Sequence, residues 1–235
     1  NQAVCDKCMR PSCLHPRPCP NLNNDHSPLL DVYHAVDALP GVKKSFIGSG
    51  VRYDLSMHLS GDNTVDAVNR RYNEELIRDH VSGRLKVAPE HTEDGVLEVM
   101  RKPSFSLFYD FKKIFDRVNT RYGLKQQLIP YFISSHPGCH ETDMAELAVK
   151  TRELDFHLEQ VQDFTPTPMT VATEIYYSGY HPYTGEKIFT AVTPAQKLAQ
   201  RQYFFWYDRT YRQGIISSLN RLHRSDLIRR LFPRR

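Results

Sequence analysis

The sequence predicts an α/β fold built from consecutive strand–helix units, like those of the later part of a (βα) barrel. Four short apolar segments have the length and composition of buried strands, namely Lys43–Gly48, Arg84–Ala88, Gln127–Ser134 and Glu159–Phe164. Amphipathic segments with the helical period lie between them. This alternation produces parallel strands joined by right-handed crossovers. Four such units do not close a barrel, so we expect further polypeptide upstream of this chain.

The helices are predicted from apolar residues that return to one face. Three of them cover Val65–Leu76, Phe108–Tyr122 and Met144–Leu154. An earlier helix over Ser27–Leu39 has Ser27 as its expected N-cap and Pro28 at its first position. Pro130 interrupts the third strand and cannot donate a ladder hydrogen bond, so we expect a bulge or an exposed edge there.

From Thr193 onward the pattern predicts helices without strands. Pro194 begins the first of them, and Ser225 begins a last short one. The aromatic cluster Phe204–Tyr207 between them is expected to anchor these helices against the barrel.

Composition indicates a globular protein, with 40% hydrophobic and 25% charged residues in a chain of 235. No stretch approaches the roughly 18 apolar residues of a membrane span. The N-terminus has neither an initiator Met nor a signal pattern, so we expect a fragment or a processed start, and a cytoplasmic location. Between Glu186 and Arg235, Lys and Arg outnumber Asp and Glu by 11 to 3. Such a tail is typical of a nucleic-acid contact or, more simply, of a solvated helical surface.

Four cysteines, Cys5, Cys8, Cys13 and Cys19, are spaced C-x2-C-x4-C-x5-C in a proline-rich loop. In a reducing compartment this density favours thiolate ligation of zinc or an iron–sulfur cluster over disulfides. The spacing matches neither the usual zinc pairs nor a ferredoxin run, so unligated loop cysteines are the alternative. His15 is a candidate replacement ligand.

Ligands of parallel α/β folds bind at the carboxyl ends of strands, because the following loops converge there. The sequence runs at these ends are GSGVRYD from Gly48, KVAPEHT from Lys86, PYFISSHPG from Pro130 and DFTPTP from Asp163. In this order they resemble the YgiQ-type (UPF0313) branch of the radical S-adenosylmethionine proteins. The resemblance is strong from Cys8 to Pro182 and weaker beyond.

The resemblance implies part of a (βα)6 barrel of the radical-SAM type at residues 27–182. A Cys-rich loop at 1–26 precedes it, and a basic helical extension at 183–235 follows. It implies reductive cleavage of S-adenosylmethionine to a 5′-deoxyadenosyl radical that acts on an unknown substrate. The [4Fe–4S] cluster of such enzymes sits on a C-x3-C-x2-C loop, which is absent here, so its ligands are expected upstream. An electron donor such as flavodoxin or ferredoxin is expected, and the Cys-rich loop is a possible second metal or cluster site.

The resemblance also implies S-adenosylmethionine contacts at eight residues. These are Arg52, Glu90, His91, Ser134, Pro137, Gly138, Phe164 and Thr165. Arg52 suits the methionyl carboxylate because its fork is planar, and Gly138 permits close backbone approach. Each has a simpler alternative: Glu90 as a helix cap, Arg52 in a surface ion pair with Asp54, Gly138 as a turn glycine and Phe164 as core.

Two functions of other classes compete with this enzyme hypothesis. One is a nucleic-acid-binding module that uses the basic aromatic tail, for instance through RNA. The other is a structural or interaction domain stabilised by a metal at Cys5–Cys19. Neither the substrate nor a catalytic residue can be read from the sequence.

Overall fold

The computed structural model describes residues 2–233, with Gln2 and Gln160 described for the backbone only. Asn1, Arg234 and Arg235 lie outside the described residues, and the two arginines were counted in the basic tail. The chain forms two compact units. The first comprises Asn1–Ala88 and Ser106–Ile129, and the second comprises Pro89–Phe105 and Pro130–Arg235.

Helices and short strands follow one another along the chain. The helices are α1 (Gln2–Cys5), α2 (Ser27–Asp37), α3 (Tyr53–Met57), α4 (Asn63–Asp79), α5 (Asp94–Val99), α6 (Ser106–Tyr122), α7 (Glu141–Glu153), α8 (Val171–Ser178), α9 (Pro194–Arg201), α10 (Arg209–Arg221) and α11 (Ser225–Leu231), with a 3-10 turn at Gln202–Phe205. The strands are β1 (Arg84–Glu90), β2 (Gln127–Ser134) and β3 (Gln160–Asp163). None of the helices in the described part of the chain combines the length and apolar character that crossing a membrane requires.

The three strands form one sheet in the order β1–β2–β3, and β2 and β3 are parallel from the pair Tyr131–Gln160 to the pair Ser134–Asp163. The predicted mixed α/β character is confirmed, and the partial barrel of the radical-SAM type stays a prediction. Pro130 lies in the central strand, so the expected exposed edge is wrong. It is tolerated because the ladder with β3 begins one residue later, at Tyr131.

The predicted strand Lys43–Gly48 is wrong, because this segment is extended chain without a ladder. Ile47 N donates to His80 O at 2.9 Å, and the next backbone bond is Val51 N to Lys86 O at 2.8 Å. A single parallel bridge joins Val51 to Val87. Gly48 and Gly50 fall between these contacts, and glycine lacks the side chain that stabilises a regular strand.

The first unit is organised around α4, whose residues Tyr72, Leu76 and Ile77 are buried. Phe108 and Phe111 of α6 are fully buried, and the Tyr53 ring stacks on Phe111 with centroids 5.1 Å apart. The helix α2 begins one residue earlier than its predicted cap indicates. His26 is the N-cap, and the Asp25 carboxylate accepts from Ser27 N at 2.8 Å.

The second unit packs its C-terminal helices around α7. Tyr203 and Phe204 of the predicted aromatic cluster are fully buried, as are Met144 and Leu147 of α7. The helices predicted after Thr193 are confirmed, including the start of α9 at Pro194, where Thr193 and Gln196 form a capping box.

Candidate functional site

The carboxyl ends of β1 and β2 carry backbone strain in the second unit. Glu90 has a φ of 68° and Ser135 a φ of 60°, and neither residue is a glycine. Left-handed conformations at such residues cost about 1–3 kcal/mol and persist where the surroundings enforce them. Ser135 is fully buried, and its hydroxyl has no hydrogen-bond partner among the described residues. Strain and an unpartnered polar atom at strand ends mark this edge as the candidate site.

The ends of β2 and β3 are tied together by side chains as well as by the ladder. Ser134 Oγ donates to Asp163 Oδ1 at 2.5 Å, and Phe164 N donates to Ser134 O at 2.7 Å. Arg201 of α9 reaches the other oxygen of Asp163 at 3.2 Å. Asp163 therefore links both strand ends to the C-terminal helices.

His91, in the loop after β1, is held neutral in the interior. It is fully buried, and burial lowers its pKa to about 3. Glu93 N donates to His91 Nδ1 at 3.1 Å, so the proton of the neutral ring is on Nε2. That nitrogen lies 3.6 Å from Cys139 Sγ. The lone cysteine is also buried, which raises the pKa of its thiol and keeps it protonated, so this pair is not poised for nucleophilic chemistry.

His136 is buried in the turn Ser135–Cys139, which follows β2. Burial lowers its pKa to about 4, and its Nδ1 donates to Pro137 O at 2.8 Å. Its ring packs edge-on against Phe164, with centroids 4.8 Å apart. Phe164 is thus fixed from the side of β2.

Gly138 lies where a side chain would not fit. Its φ is 85°, and an added Cβ would lie 3.0 Å from Val99 Cγ2. Its N–H donates to Phe189 O at 2.8 Å, and the Phe189 ring stacks on His140 at 4.4 Å. The close approach expected of Gly138 is therefore made to Val99, a neighbouring side chain of the same unit.

Two lysines pair with the carboxylate at the end of β1 and with one in the loop that follows it. Lys102 Nζ is 3.3 Å from Glu90 Oε1, and Lys150 Nζ is 2.9 Å from Glu93 Oε1. Lys150 also donates to Thr92 O at 3.0 Å. Glu90 thus pairs with a lysine, which replaces the helix-cap alternative, and the N-cap of α5 is Glu93.

The eight sequence-predicted contact residues divide between the two units. Arg52 belongs to the first unit, and the other seven belong to the second. Within the second unit, Glu90, Gly138 and Phe164 are partly accessible and Thr165 is exposed. His91, Ser134 and Pro137 are buried.

Arg52 lines a cavity of about 330 Å³ in the first unit. The other lining residues are His26, Leu29, Tyr33, Ile47, Gly48, Ser49, Gly50, Val51, Leu55 and Tyr72. The Arg52 guanidinium is paired with Asp54 through Nε and Nη2, at 2.9 and 2.8 Å. Residues Ser49–Arg52 thus line a cavity of the first unit, and Arg52 already has a carboxylate partner, while its contact with S-adenosylmethionine stays a prediction.

The four cysteines of the N-terminal segment are free thiols, three of them exposed and Cys19 half-buried. Cys5 ends the helix α1, so the expectation that all four lie in a loop is wrong for this residue. Asn21 Nδ2 donates to Cys5 Sγ at 2.8 Å, and Arg10 N lies 3.4 Å from Cys8 Sγ. Over residues 2–233, no group of three or more His, Cys, Asp or Glu side chains is arranged to hold a metal ion. A metal or cluster at these cysteines therefore stays a prediction.

The basic tail meets acidic partners within its own unit. Arg221 pairs with Glu141 at 3.0 Å, Arg224 with Glu146 at 2.5 Å, and Arg230 with Glu153 at 2.7 Å. All three glutamates lie on α7. Three of the nine described Lys and Arg side chains of the tail therefore pair with α7, so the nucleic-acid alternative is not favoured.

The fold defines an α/β protein with a small three-stranded sheet, and comparison with known proteins identifies its family. Residues 159–230 match the family model of a domain of unknown function, DUF3362. The chain is 66% identical over its whole length to a UPF0313 protein of Bacteroides thetaiotaomicron and 57% identical over 99% of its length to one of Porphyromonas gingivalis. A UPF0313 protein of Methanocella arvoryzae is 41% identical over 94% of the chain. The chain belongs to the UPF0313 family.

The chain spans 38%, 37% and 35% of the lengths of these three relatives. No solved structure matches it.

Sequence reasoning missed three residues that organise the strand ends. Asp163 is the last residue of β3 and the next-to-last residue of the predicted strand Glu159–Phe164, so the rule that selected Phe164 pointed one residue beyond it. Gln200 and Arg201 lie on α9, where a polar residue in a helical pattern gives no signal of a contact made more than 35 positions away along the chain.

Proposed function

We propose that this chain is part of a radical S-adenosylmethionine enzyme, and that the strand-end loops of its second unit bind S-adenosylmethionine. The observation that carries the proposal is the pair of strained residues Glu90 and Ser135 at the ends of adjacent strands, with the Ser135 hydroxyl unpartnered. Backbone strain of this kind is concentrated at ligand sites, where it fixes the direction of backbone groups. The likeness of KVAPEHT and YFISSHPG to the radical-SAM pattern, and the family membership, support the same reading.

S-adenosylmethionine, bound beside a reducible iron–sulfur cluster, would supply a 5′-deoxyadenosyl radical. The C-x3-C-x2-C motif of such a cluster is absent from this sequence, and we place its ligands on polypeptide of the family outside this chain. The residues of this chain bind and orient S-adenosylmethionine, and they exclude water from it. The substrate acted on is a further part of the proposal and stays unidentified.

The accessible residues of the second unit are assigned to contact. The Glu90 carboxylate accepts from hydroxyl or amino groups, while Gly138, Phe164 and Thr165 offer backbone and ring surface. The buried residues His91, Ser134 and Pro137 are assigned to holding the two loops. This division follows from their exposure, because a side chain without accessible surface meets a ligand only if the loop moves.

The first test measures binding of S-adenosylmethionine to the 235-residue chain by isothermal titration calorimetry. Glu90→Gln is expected to lower the affinity about tenfold, since it removes a charge-assisted hydrogen bond. The matched control is Glu186→Gln, an exposed glutamate of the same unit, for which no change is expected. Equal loss in both variants, or no binding by the wild-type chain, would count against the assignment.

Arg52 is tested separately with Arg52→Met, and Arg117→Met on the exposed face of α6 is its control. If Arg52 binds the methionyl carboxylate, its loss weakens affinity while Arg117→Met leaves it unchanged. An unchanged affinity would show that Arg52 does not contact the ligand and serves only in its ion pair with Asp54.

Activity requires the longer protein. The relative from Bacteroides thetaiotaomicron, reconstituted anaerobically with iron and sulfide and reduced, is expected to release 5′-deoxyadenosine that chromatography detects. A preparation that holds iron and sulfide yet yields no product above a heat-treated control would overturn the proposed reaction.

A further inference from the structure

The turn that follows β2 is bridged by one buried side chain from the region that matches DUF3362. Gln200 of α9 has 2% of its surface exposed. Its Oε1 accepts from Ser135 N at 2.7 Å, and its Nε2 donates to Cys139 O at 2.6 Å. A single side-chain amide thus bonds to the backbone N–H of the first residue and to the backbone carbonyl of the last residue of the turn Ser135–Cys139.

This bridge lies where the backbone is strained. The left-handed Ser135 has a buried N–H, and an unpaired buried N–H costs free energy comparable to a lost hydrogen bond. Gln200 supplies the acceptor that this N–H finds in no strand neighbour, since β2 ends at Ser134. Without it, relaxation of Ser135 toward an extended conformation becomes favourable.

Two further contacts from the same region act on the same edge. Arg201, the next residue of α9, holds Asp163, to which Ser134 donates. Phe189 O accepts from Gly138 N inside the bridged turn. All these contacts converge on the ends of β2 and β3.

We propose that Gln200 is a positioning residue, and that the DUF3362-matching region serves to hold the Ser135–Cys139 turn in its strained conformation. This assigns a role to a region whose family model carries none. The part of the inference that concerns S-adenosylmethionine rests on the proposed function, whereas the part that concerns the turn does not.

The test compares Gln200→Leu with the wild-type chain, and uses Gln202→Leu as matched control. Gln202 is a half-buried glutamine of the same region that bonds Ala199 O and Ser218 Oγ, and it does not touch the turn. Amide hydrogen exchange of the peptide spanning Ser134–Cys139 is measured by mass spectrometry. We expect exchange there to rise about tenfold or more in Gln200→Leu, given two lost hydrogen bonds, and to stay unchanged in Gln202→Leu.

Gln200→Glu provides a second variant, because it keeps an acceptor for Ser135 N but places a carboxylate oxygen against Cys139 O in a buried position. Its exchange rate is expected to exceed that of the wild-type chain. If Gln200→Leu does not fold, the same comparison is made with Gln200→Glu alone. Wild-type exchange in the Ser134–Cys139 peptide of a folded Gln200 variant would overturn the inference.

Affinity for S-adenosylmethionine separates the two proposals. We expect Gln200→Leu to raise the dissociation constant for S-adenosylmethionine about tenfold, and Gln202→Leu to leave it unchanged. If the wild-type chain does not bind the compound, the proposed function fails while the exchange data still decide the role of Gln200. If it binds and Gln200→Leu loosens the turn without changing affinity, the turn is not part of the ligand site.

Discussion

Ser134 and Asp163 occupy paired positions at the carboxyl ends of β2 and β3, and the Ser134 hydroxyl donates to the Asp163 carboxylate at 2.5 Å. Ser134 is fully buried, and the carboxylate keeps a second partner in Arg201. We expect Ser134→Ala to lower the free energy of unfolding by about 1–2 kcal/mol, because a hydrogen bond to a charged acceptor is lost in a mostly buried place. Urea denaturation measures this. Ser217→Ala, at an exposed position of α10, is the control. If Ser134→Ala lowers the free energy of unfolding by no more than Ser217→Ala does, the hydrogen bond makes no measurable contribution to stability.

Gly138 and Gly185 allow the steric and conformational costs of a side chain to be separated. Both have positive φ, 85° and 70°, but only Gly138 would place a Cβ 3.0 Å from Val99 Cγ2, while Gly185 has nothing within 4 Å. We expect Gly185→Ala to cost about 1 kcal/mol of unfolding free energy and Gly138→Ala to cost about 2–3 kcal/mol. Both are measured by denaturant unfolding.

The background Val99→Ala completes this comparison. In that background the excess cost of Gly138→Ala over Gly185→Ala is expected to shrink, because the clashing methyl groups are gone. An excess that persists would place the conflict somewhere other than at Val99.

His91 and His136 predict how stability changes with pH. Burial lowers their pKa values to about 3 and about 4, whereas an unfolded histidine titrates near 6.5. Below pH 6.5 the unfolded chain takes up protons that the native state does not. The contribution of the two neutral rings to the free energy of unfolding is therefore complete above pH 6.5 and is lost as the pH falls. Between pH 6 and 5 the slope approaches about 1.4 kcal/mol per pH unit for each histidine.

Urea unfolding at pH 6.5, 6.0, 5.5 and 5.0 tests this slope. His136→Asn removes one of the two groups, and the slope is expected to fall by about half. A flat profile in the wild-type chain, or the same slope in the variant, would mean that these rings are protonated in the native state or are reached by water.

Sequence reasoning succeeded where periodicity and chain order carry the signal. The strands at Arg84, Gln127 and Glu159, the helices α4, α6 and α7, and the helical C-terminal region follow from the spacing of apolar residues. The strand predicted at Lys43–Gly48 failed because strand propensity does not report the backbone partners that a ladder needs. Ile47 bonds to His80 outside any strand, and the bridge to β1 forms at Val51, beyond the segment.

The grouping of residues at the strand ends was predictable from the sequence, whereas their side-chain contacts were not, and binding of a ligand there stays a prediction. The rule about strand carboxyl ends led to Ser134, Gly138 and Phe164, which do lie together in the second unit. It had no means of showing that His91 turns its Nε2 to Cys139, or that Gln200 reaches back to Ser135. Such contacts depend on how side chains pack, and no local pattern of residues records them.

The ion pair between Arg224 and Glu146 predicts measurable coupling between α7 and the C-terminal helices. Its atoms lie 2.5 Å apart, and both side chains are more than two-thirds buried. A double-mutant cycle with Arg224→Met and Glu146→Gln is expected to give a coupling free energy of about 1 kcal/mol. The more exposed pair Arg121–Glu74, with side-chain exposures of 66% and 36%, is the control and is expected to give less. Equal values would show that burial adds nothing to the first pair.

The same pairing predicts that the tail binds RNA weakly. Arg221, Arg224 and Arg230 already have carboxylate partners on α7, so engaging phosphates would require breaking those pairs. In fluorescence anisotropy with a single-stranded RNA, we expect only non-specific affinity, with a dissociation constant above about 10⁻⁶ M at physiological salt. The variant Glu141→Gln/Glu146→Gln/Glu153→Gln frees these arginines and is expected to bind more tightly at low salt, with a steeper dependence on salt. Tight binding by the wild-type chain that weakens by about 10³-fold between 50 and 200 mM salt would instead show that the tail presents its charge to phosphates, and the ion pairs with α7 would then not be its main partners in solution.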